Sequence, residues 1–424
     1  MFQVIKNAWK IPELRKKMLY TLLLLVVFRF GSVIPVPWLD SSVLKQLVDG
    51  SSNTIFGIMN TFSGGAFEDA TIFAMSITPY INSSIIIQLL AVAIPALERL
   101  SKEGAEGREK MQDIVRYVTI VLAFIQAAGL YIGLRNANAV TNPGFLTFIT
   151  ITITFTAGTA FLMWLGEEIT QKGVGNGISM LIFAGIVARI PKMGMQVWQN
   201  FKSNWIAIAL ILLFAIAIIA LIVLFNDAER RIPVQYAKRV VGRKLYGGQS
   251  TNIPIKVTMA GVMPIIFAMS IMAFPGTISA LVNPNATSGV AAWISKFFSQ
   301  SNPWYSIIYF ILIIAFTYFY TAITFNPIEV ANNIKKNGGF IPGIRPGKPT
   351  SDFISRVLSK VTLAGAVFLA LIAIIPIMLA MINPGLSGVS IGGTSLLIVV
   401  GFALETVKQL ESQMLMRHYK GFLE

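Results

Sequence analysis

Few residues in this chain have the types and spacings that support chemistry. There is no cysteine and a single histidine, His418. That leaves no thiolate nucleophile, no disulfide, no cysteine-based zinc or iron–sulfur site and no metal site built on two histidines. The acids nearest the apolar runs, Glu167, Glu168 and Glu405, stand at the ends of those runs, and only Arg29 is well inside one. A carrier coupled to protons or sodium generally uses a carboxylate inside the membrane, so this placement disfavours an energised transporter; sodium held by carbonyls of broken helices stays open. Arg29 reads as a snorkelling or bundle-facing charge near a helix end. Gly343-Ile344-Arg345-Pro346-Gly347-Lys348-Pro349 looks superficially like a phosphate loop, but proline stands where Ser or Thr would hold magnesium. Gly173-Val174-Gly175-Asn176-Gly177 lacks dinucleotide spacing, and neither HExxH nor GxSxG occurs. The expectation is no catalysis and no cofactor, with energy for any transport supplied from outside the chain.

What remains is patterned without being reactive. Ile81 and Ile85 are four apart and share a helical face, as do Ile178 and Ile182. Asn82, Ser83, Ser84 and Gln88 make the first of these helices polar for a lipid-facing surface. Such pairs serve packing, lipid contact or the lining of a passage, and spacing does not separate these uses. Thr54–Phe62 is apolar but runs into Ser63-Gly64-Gly65-Ala66 and the acids Glu68 and Asp69, so it is too short to cross a membrane. Half-helices of that kind occur only inside protein or beside a water-filled cavity, as a packing element or a movable stopper.

The elements that must position these residues follow from composition. Of 424 residues, 55% are hydrophobic and 12% charged, against about a quarter charged in a soluble domain. The chain therefore reads as a polytopic membrane protein. A crossing needs roughly 20 apolar residues. Candidate crossings are Met18–Ile34, the broken stretch Thr54–Ile94, Val115–Leu134, Leu146–Leu165, Gly177–Ile190, Trp205–Phe225, Val257–Ser295, Phe297–Ile328 and two within Val361–Leu404, turned at Asn383-Pro384-Gly385. Ten spans result, five on each side of an external hinge loop at 191–204, dividing the chain into 1–190 and 205–424. The first span is followed by nine others and lacks a small-residue cleavage site, so it is not expected to be a cleaved signal.

Placing both termini in the cytoplasm puts 27 of the 34 Lys and Arg residues inside and six outside, with Arg29 in a span. Topology thus accounts for most of the net charge of +15. Two inside loops exceed that need. Residues 226–256 hold Arg243 and Lys244 among seven basic residues, and 326–360 hold Arg345 among six. Both are long for helix connections, and basic surfaces of this kind suit an RNA-rich or acidic partner.

Several stretches now carry a resemblance. Ile72-Phe73-Ala74-Met75-Ser76-Ile77-Thr78-Pro79-Tyr80-Ile81-Asn82-Ser83-Ser84-Ile85-Ile86-Ile87-Gln88-Leu89-Leu90 resembles the second-helix signature of the SecY family, the central subunits of bacterial protein-conducting channels. Trp164-Leu165-Gly166-Glu167-Glu168-Ile169-Thr170-Gln171-Lys172-Gly173-Val174-Gly175-Asn176-Gly177-Ile178-Ser179 is similar to the family's second signature. Ala260-Gly261-Val262-Met263-Pro264, Gly339-Phe340-Ile341-Pro342-Gly343-Ile344-Arg345-Pro346-Gly347 and Gly392-Gly393-Thr394-Ser395-Leu396-Leu397-Ile398 also match, and the likeness runs essentially end to end.

The resemblance implies an all-α, ten-helix clamshell of two inverted five-helix halves around a central hourglass pore, with a re-entrant plug half-helix. It implies a pore ring of Ile81, Ile85, Ile178, Ile182, Ile266 and Ile398, and a plug over Asn60, Thr61, Phe62, Ser63, Gly64, Gly65 and Ala66. Glu68 and Asp69 are more acidic than the family pattern. A lateral gate would lie between spans two and seven, with Asn82, Ser83, Gln88, Gln126 and Ser270 as polar contacts of about 0.6–2 kcal/mol each. Arg243, Lys244 and Arg345 would meet the ribosome or the SecA ATPase. The other implied partners are SecE and SecG subunits, signal peptides, nascent polypeptides and membrane lipids, at the cytoplasmic membrane. The competing readings are a small-solute secondary transporter and a ribosome-recruiting scaffold without a conducting path.

Overall fold

Proline and asparagine set many of the helix starts. Pro12, Pro79, Pro95, Pro303 and Pro327 each stand in a first turn, where the missing N–H costs nothing. The Asn302 side chain accepts from the Trp304 N–H at 3.1 Å, and that of Asn326 from the Ile328 N–H at 3.1 Å. A computed structural model of the chain describes residues 2–49, 60, 63–201, 205–236, 239–241, 244–246, 250–282, 290–299, 302–382 and 387–420.

The order is α1 (Phe2–Lys10), α2 (Pro12–Gly31), α3 (Ser41–Asp49), α4 (Thr78–Ala93), α5 (Pro95–Lys102), α6 (Ala105–Asn136), α7 (Phe145–Lys172), α8 (Gly177–Phe201) and α9 (Trp205–Asp227), then β1 (Glu229–Tyr236), β2 (Arg239–Val241), β3 (Lys244–Tyr246) and β4 (Ser250–Lys256). There follow α10 (Met263–Val282), α11 (Val290–Phe297), α12 (Pro303–Thr324), α13 (Pro327–Lys336), β5 (Gly339–Phe340), α14 (Lys348–Ile382) and α15 (Ser387–Lys420). The protein is mainly helical. Among the described residues five helices are long and apolar enough to cross a membrane: Ala105–Asn136, Phe145–Lys172, Ala209–Asp227, Pro303–Lys336 and Lys348–Leu379. α4 and α5 would make a sixth only as one span, but they bend by 107° at Ile94. That residue precedes Pro95 and is forced out of helical geometry.

α2, α6, α7 and α8 pack as one set with α4, and α9, α10, α12, α14 and α15 as a second. The sets meet where α8 lies on α15 and where α10 lies on α4 and α6. Several hydroxyls in these apolar helices are satisfied locally. Thr119, Thr154, Thr317 and Thr321 each donate to the carbonyl four residues back at 2.6–2.7 Å.

Three expectations change. The all-α reading gives way to helices plus five short strands, because the long loops are folded. β1 pairs antiparallel with β4 (Glu229 opposite Lys256 through Gln235 opposite Ser250) and with β5 (Tyr236 opposite Gly339). The sheet covers a small core of Ile232, Val234, Ile255, Ile334, Ile341, Ile354 and Leu358. Second, residues 191–201 are helical, not loop. α8 runs on through Pro191, whose fixed φ suits a helix although its ring removes one ladder bond. Third, the broken stretch expected over Thr54–Ile94 resumes as a helix only at Thr78, after mostly buried turns over residues 63–77. The turn at Asn383-Pro384-Gly385 and the apolar stretch 54–59 lie outside the described residues.

Candidate functional site

Five of the six isoleucines are buried in the same large apolar core. Ile81 and Ile85 on α4, Ile182 on α8, Ile266 on α10 and Ile398 on α15 belong to one buried apolar cluster, each at most 5% exposed. Both helix sets contribute. Ile178 is half-buried against the same cluster. Its side chain also fills the space beside Gly166 on α7, where a Cβ would stand 2.4 Å from Ile178 Cδ1. Val262 and Leu397, also in the cluster, line a cavity of about 420 Å³ between α9, α10, α12, α14 and α15, with Lys256, Glu405 and Lys408 in its wall. Lys408 is bound to Asp227 at 2.7 Å.

The residues expected to form a plug fold on themselves and against α8. The Gly65 N–H donates to the Asn60 carbonyl at 3.0 Å, the Phe67 N–H to Ser63 Oγ at 3.1 Å and the Thr71 N–H to the Ala66 carbonyl at 3.0 Å. Irregular backbone buried among apolar helices needs such internal partners. Gly64 has φ +67°, and a Cβ there would lie 2.7 Å from the Gly185 carbonyl oxygen on α8. Only glycine fits both the backbone angle and the contact. Asn60, Ser63 and Ala66 are buried; Thr61 and Phe62 lie outside the described residues.

The two acids that depart from the family pattern are paired. The Asn60 side-chain amide donates to Glu68 Oε2 at 2.7 Å, the Glu68 N–H donates to Asn60 Oδ1 at 3.2 Å, and Lys192 of α8 binds Glu68 Oε1. Asp69 pairs with Lys45 of α3 at 3.0 Å. Arg29, read from the sequence as snorkelling or facing the bundle, donates to the Gly64 carbonyl at 3.4 Å. Sequence reasoning passed over Lys45 and Lys192. Both stand among the six basic residues expected outside, the side that also carries Glu68 and Asp69, and that shared side was the available signal.

Not all gate candidates are free to reach across. α4 does lie beside α10 and α6. Ser83, fully buried, donates to the Pro79 carbonyl at 2.8 Å, and Gln88 donates to Ser84 Oγ at 3.0 Å, both within α4. Ser270 on α10 is buried, and Asn82 and Gln126 are half-buried.

β2 and β3 pair as a two-stranded sheet of their own, apart from β4-β1-β5. Lys244 opens β3 opposite Val241 of β2, while Arg243 lies outside the described residues. Arg345 is exposed in a turn between Gly343 (φ +81°) and Gly347 (φ +102°), and its carbonyl accepts from Thr350 Oγ1 at 2.9 Å. Two of the three acids at the helix ends are committed to other groups: Arg116 binds Glu167 at 2.8 Å, and Glu168 accepts from Tyr20 at 2.7 Å and pairs with Lys172 at 2.8 Å.

Comparison with known proteins bears on this arrangement. The SecY family model matches residues 71–407. Protein translocase subunit SecY of Halalkalibacterium halodurans is 48% identical over 435 residues, and that of Bacillus subtilis 47% over 436, each over the full length of both chains. The solved structure of a protein conducting channel superposes with TM-score 0.64 at 20% identity, covering 97% of each chain. Sec61 in the canine ribosome-channel complex from the endoplasmic reticulum superposes with TM-score 0.62 at 18% identity, again over 97% of each.

Proposed function

The chain belongs to the SecY family, and from that premise we propose how this multi-pass membrane protein conducts protein. The five clustered isoleucines, with Ile178 at their edge, form the waist of the path. The observation that carries this reading is the burial together of aliphatic side chains from two helix sets. A narrow apolar constriction excludes water and therefore ions. It offers neither hydrogen bonds nor fixed charge, so a passing chain of any sequence is not held, and flexible isoleucines close around it.

In this reading ten spans form two inverted five-helix halves, 1–190 and 205–424, and both termini face the cytoplasm. Residues 60–66 are the plug beyond the waist. The cavity walled by Lys256, Glu405 and Lys408 is part of the cytoplasmic approach. α4 and α10 part to receive a signal helix and to release membrane segments into the lipid of the cytoplasmic membrane. The apolar run of α9 is almost wholly outward, as a lipid-facing surface would be.

The driving force comes from partners. One relative is found in a ribosome-channel complex, and the basic sheet and turns of this chain suit a ribosome or the SecA ATPase at Arg243, Lys244 and Arg345. SecE and SecG would complete the complex. A coupled solute carrier needs a carboxylate free to bind and release its ion; Glu167 and Glu168 are tied in ion pairs, and Glu405 shares its cavity wall with Lys256 and Lys408. The deciding experiment is site-specific crosslinking of an arrested secretory chain from photoreactive residues at the six isoleucine positions. Adducts at these positions and not at outward positions such as Leu213 support the path. Adducts at none of the six overturn it.

A further inference from the structure

The plug reading leaves one feature unexplained: a buried carboxylate two residues beyond it that turns back onto its first residue. Glu68 is 7% exposed, and a buried charge is costly unless it is paired and hydrogen-bonded. Its two oxygens are both used, one by the Asn60 amide and one by Lys192, while its own N–H returns to Asn60. Asn60 and Glu68 therefore close the plug into a ring, and Lys192 fastens that ring to α8.

The position of Lys192 gives the fastening its meaning. It directly follows Pro191 in α8, the helix that leads into the connection between the two helix sets. A pivot of one set on the other moves this end of α8 relative to the plug. We propose that Glu68 and Lys192 form a latch that couples the plug to the interhalf connection, and that its strength sets how strong a signal segment must be to open the channel. The inference rests on reading residues 60–66 as a plug.

Magnitudes single out this pair. Asp69 and Lys45 are each about half exposed, at 52% and 51%, and exposed pairs contribute little. Removing the partner of a buried charge is far more disruptive, because the remaining charge is left uncompensated. Lys192 itself is 47% exposed, so it can leave its site and be solvated once the plug moves.

The test uses the intact channel complex in planar bilayers and in a secretion assay, with inserted protein quantified for each variant. E68Q and K192Q should each raise resting ion leak about tenfold, a change of about 1.4 kcal/mol in the closed state, and should pass substrates with defective signals. K192R should stay close to wild type, and D69N and K45Q should change nothing. The chain has no native cysteine, so E68C/K192C joined by a short bismaleimide should block secretion. Deletion of residues 60–69 separates the two ideas. If the deletion leaks while E68Q and K192Q do not, the plug stands and the latch is wrong. If the deletion leaves leak unchanged, the plug reading itself fails. Secretion that proceeds through the crosslinked pair refutes the coupling.

Discussion

Gly64 and Gly185 meet backbone to backbone: a Cβ on Gly64 would stand 2.8 Å from the Gly185 Cα. Two glycines thus bring the segment proposed as a plug closer to α8 than any side chain allows. Gly64→Ala meets both this contact and a left-handed backbone angle, which alone costs about 1–2 kcal/mol. The expected result is a channel that inserts normally but leaks roughly 5–30-fold more at rest, read as single-channel open probability. Leak at the wild-type level would show that this contact does not seat the plug.

Polar substitution at the waist tests the seal. Ile266→Asn or Ile398→Asn places an amide among apolar neighbours, at a cost of about 1–3 kcal/mol if it stays dry. Admitting water relieves that cost, so resting leak should rise roughly tenfold and signal stringency should fall. Ile178→Asn should do less, because Ile178 is only half-buried and leans on Gly166. Equal effects at all three positions would contradict this ordering.

The gate candidates divide by their hydrogen bonds. Ser83→Ala and Gln88→Ala remove bonds made within α4 and should alter lateral opening less than about twofold. Ser270→Ala and Asn82→Ala should alter it by more than about twofold, because neither side chain is held by these bonds within α4 and Ser270 is buried beside it. The measurement is partitioning of an arrested signal helix into lipid, followed by crosslinking.

Arg345 is exposed, so Arg345→Glu should leave stability within about 0.5 kcal/mol and insertion unchanged. ATPase-driven secretion with this variant as the sole copy should drop by at least tenfold. Normal secretion would remove Arg345 from the docking surface.

α3 carries Lys45, the partner of Asp69, and is capped by Asp40. The Asp40 carboxylate accepts from the Ser42 hydroxyl at 2.6 Å and from the Ser42 N–H at 2.8 Å, and these bonds hold it below the usual carboxylate range. A carboxyl lowered in the folded state stabilises above its unfolded value, near pH 4, and loses that contribution as pH falls through its folded value. Asp40→Asn should therefore melt earlier than wild type at pH 7, with the difference vanishing on acidification. A difference independent of pH would contradict the cap.

Much of this was legible because charge and proline act locally. Charge-free runs marked α6, α7, α9, α12 and α14, and the acid-free interior pointed away from ion-coupled transport. What was not legible depends on partners far along the chain. Nothing around Gly339 announces that it will pair with Tyr236, since strands this short carry little pattern. The two isoleucine pairs were visible by spacing, but their meeting with Ile266 and Ile398 is a tertiary fact. Pro191 opens the stretch expected as a loop, yet α8 continues through it.

The shared sheet has a mechanical consequence. β1 follows α9 directly, and β4 is separated from α10 only by Val257 to Val262, while β5 belongs to the segment that bears Arg345. The order β4-β1-β5 therefore joins the segment that bears Arg345 to the strand that leads into α10 by backbone pairing alone. A substitution that unpairs β5 should let the two long loops move independently, seen as faster amide exchange in β1 and β4.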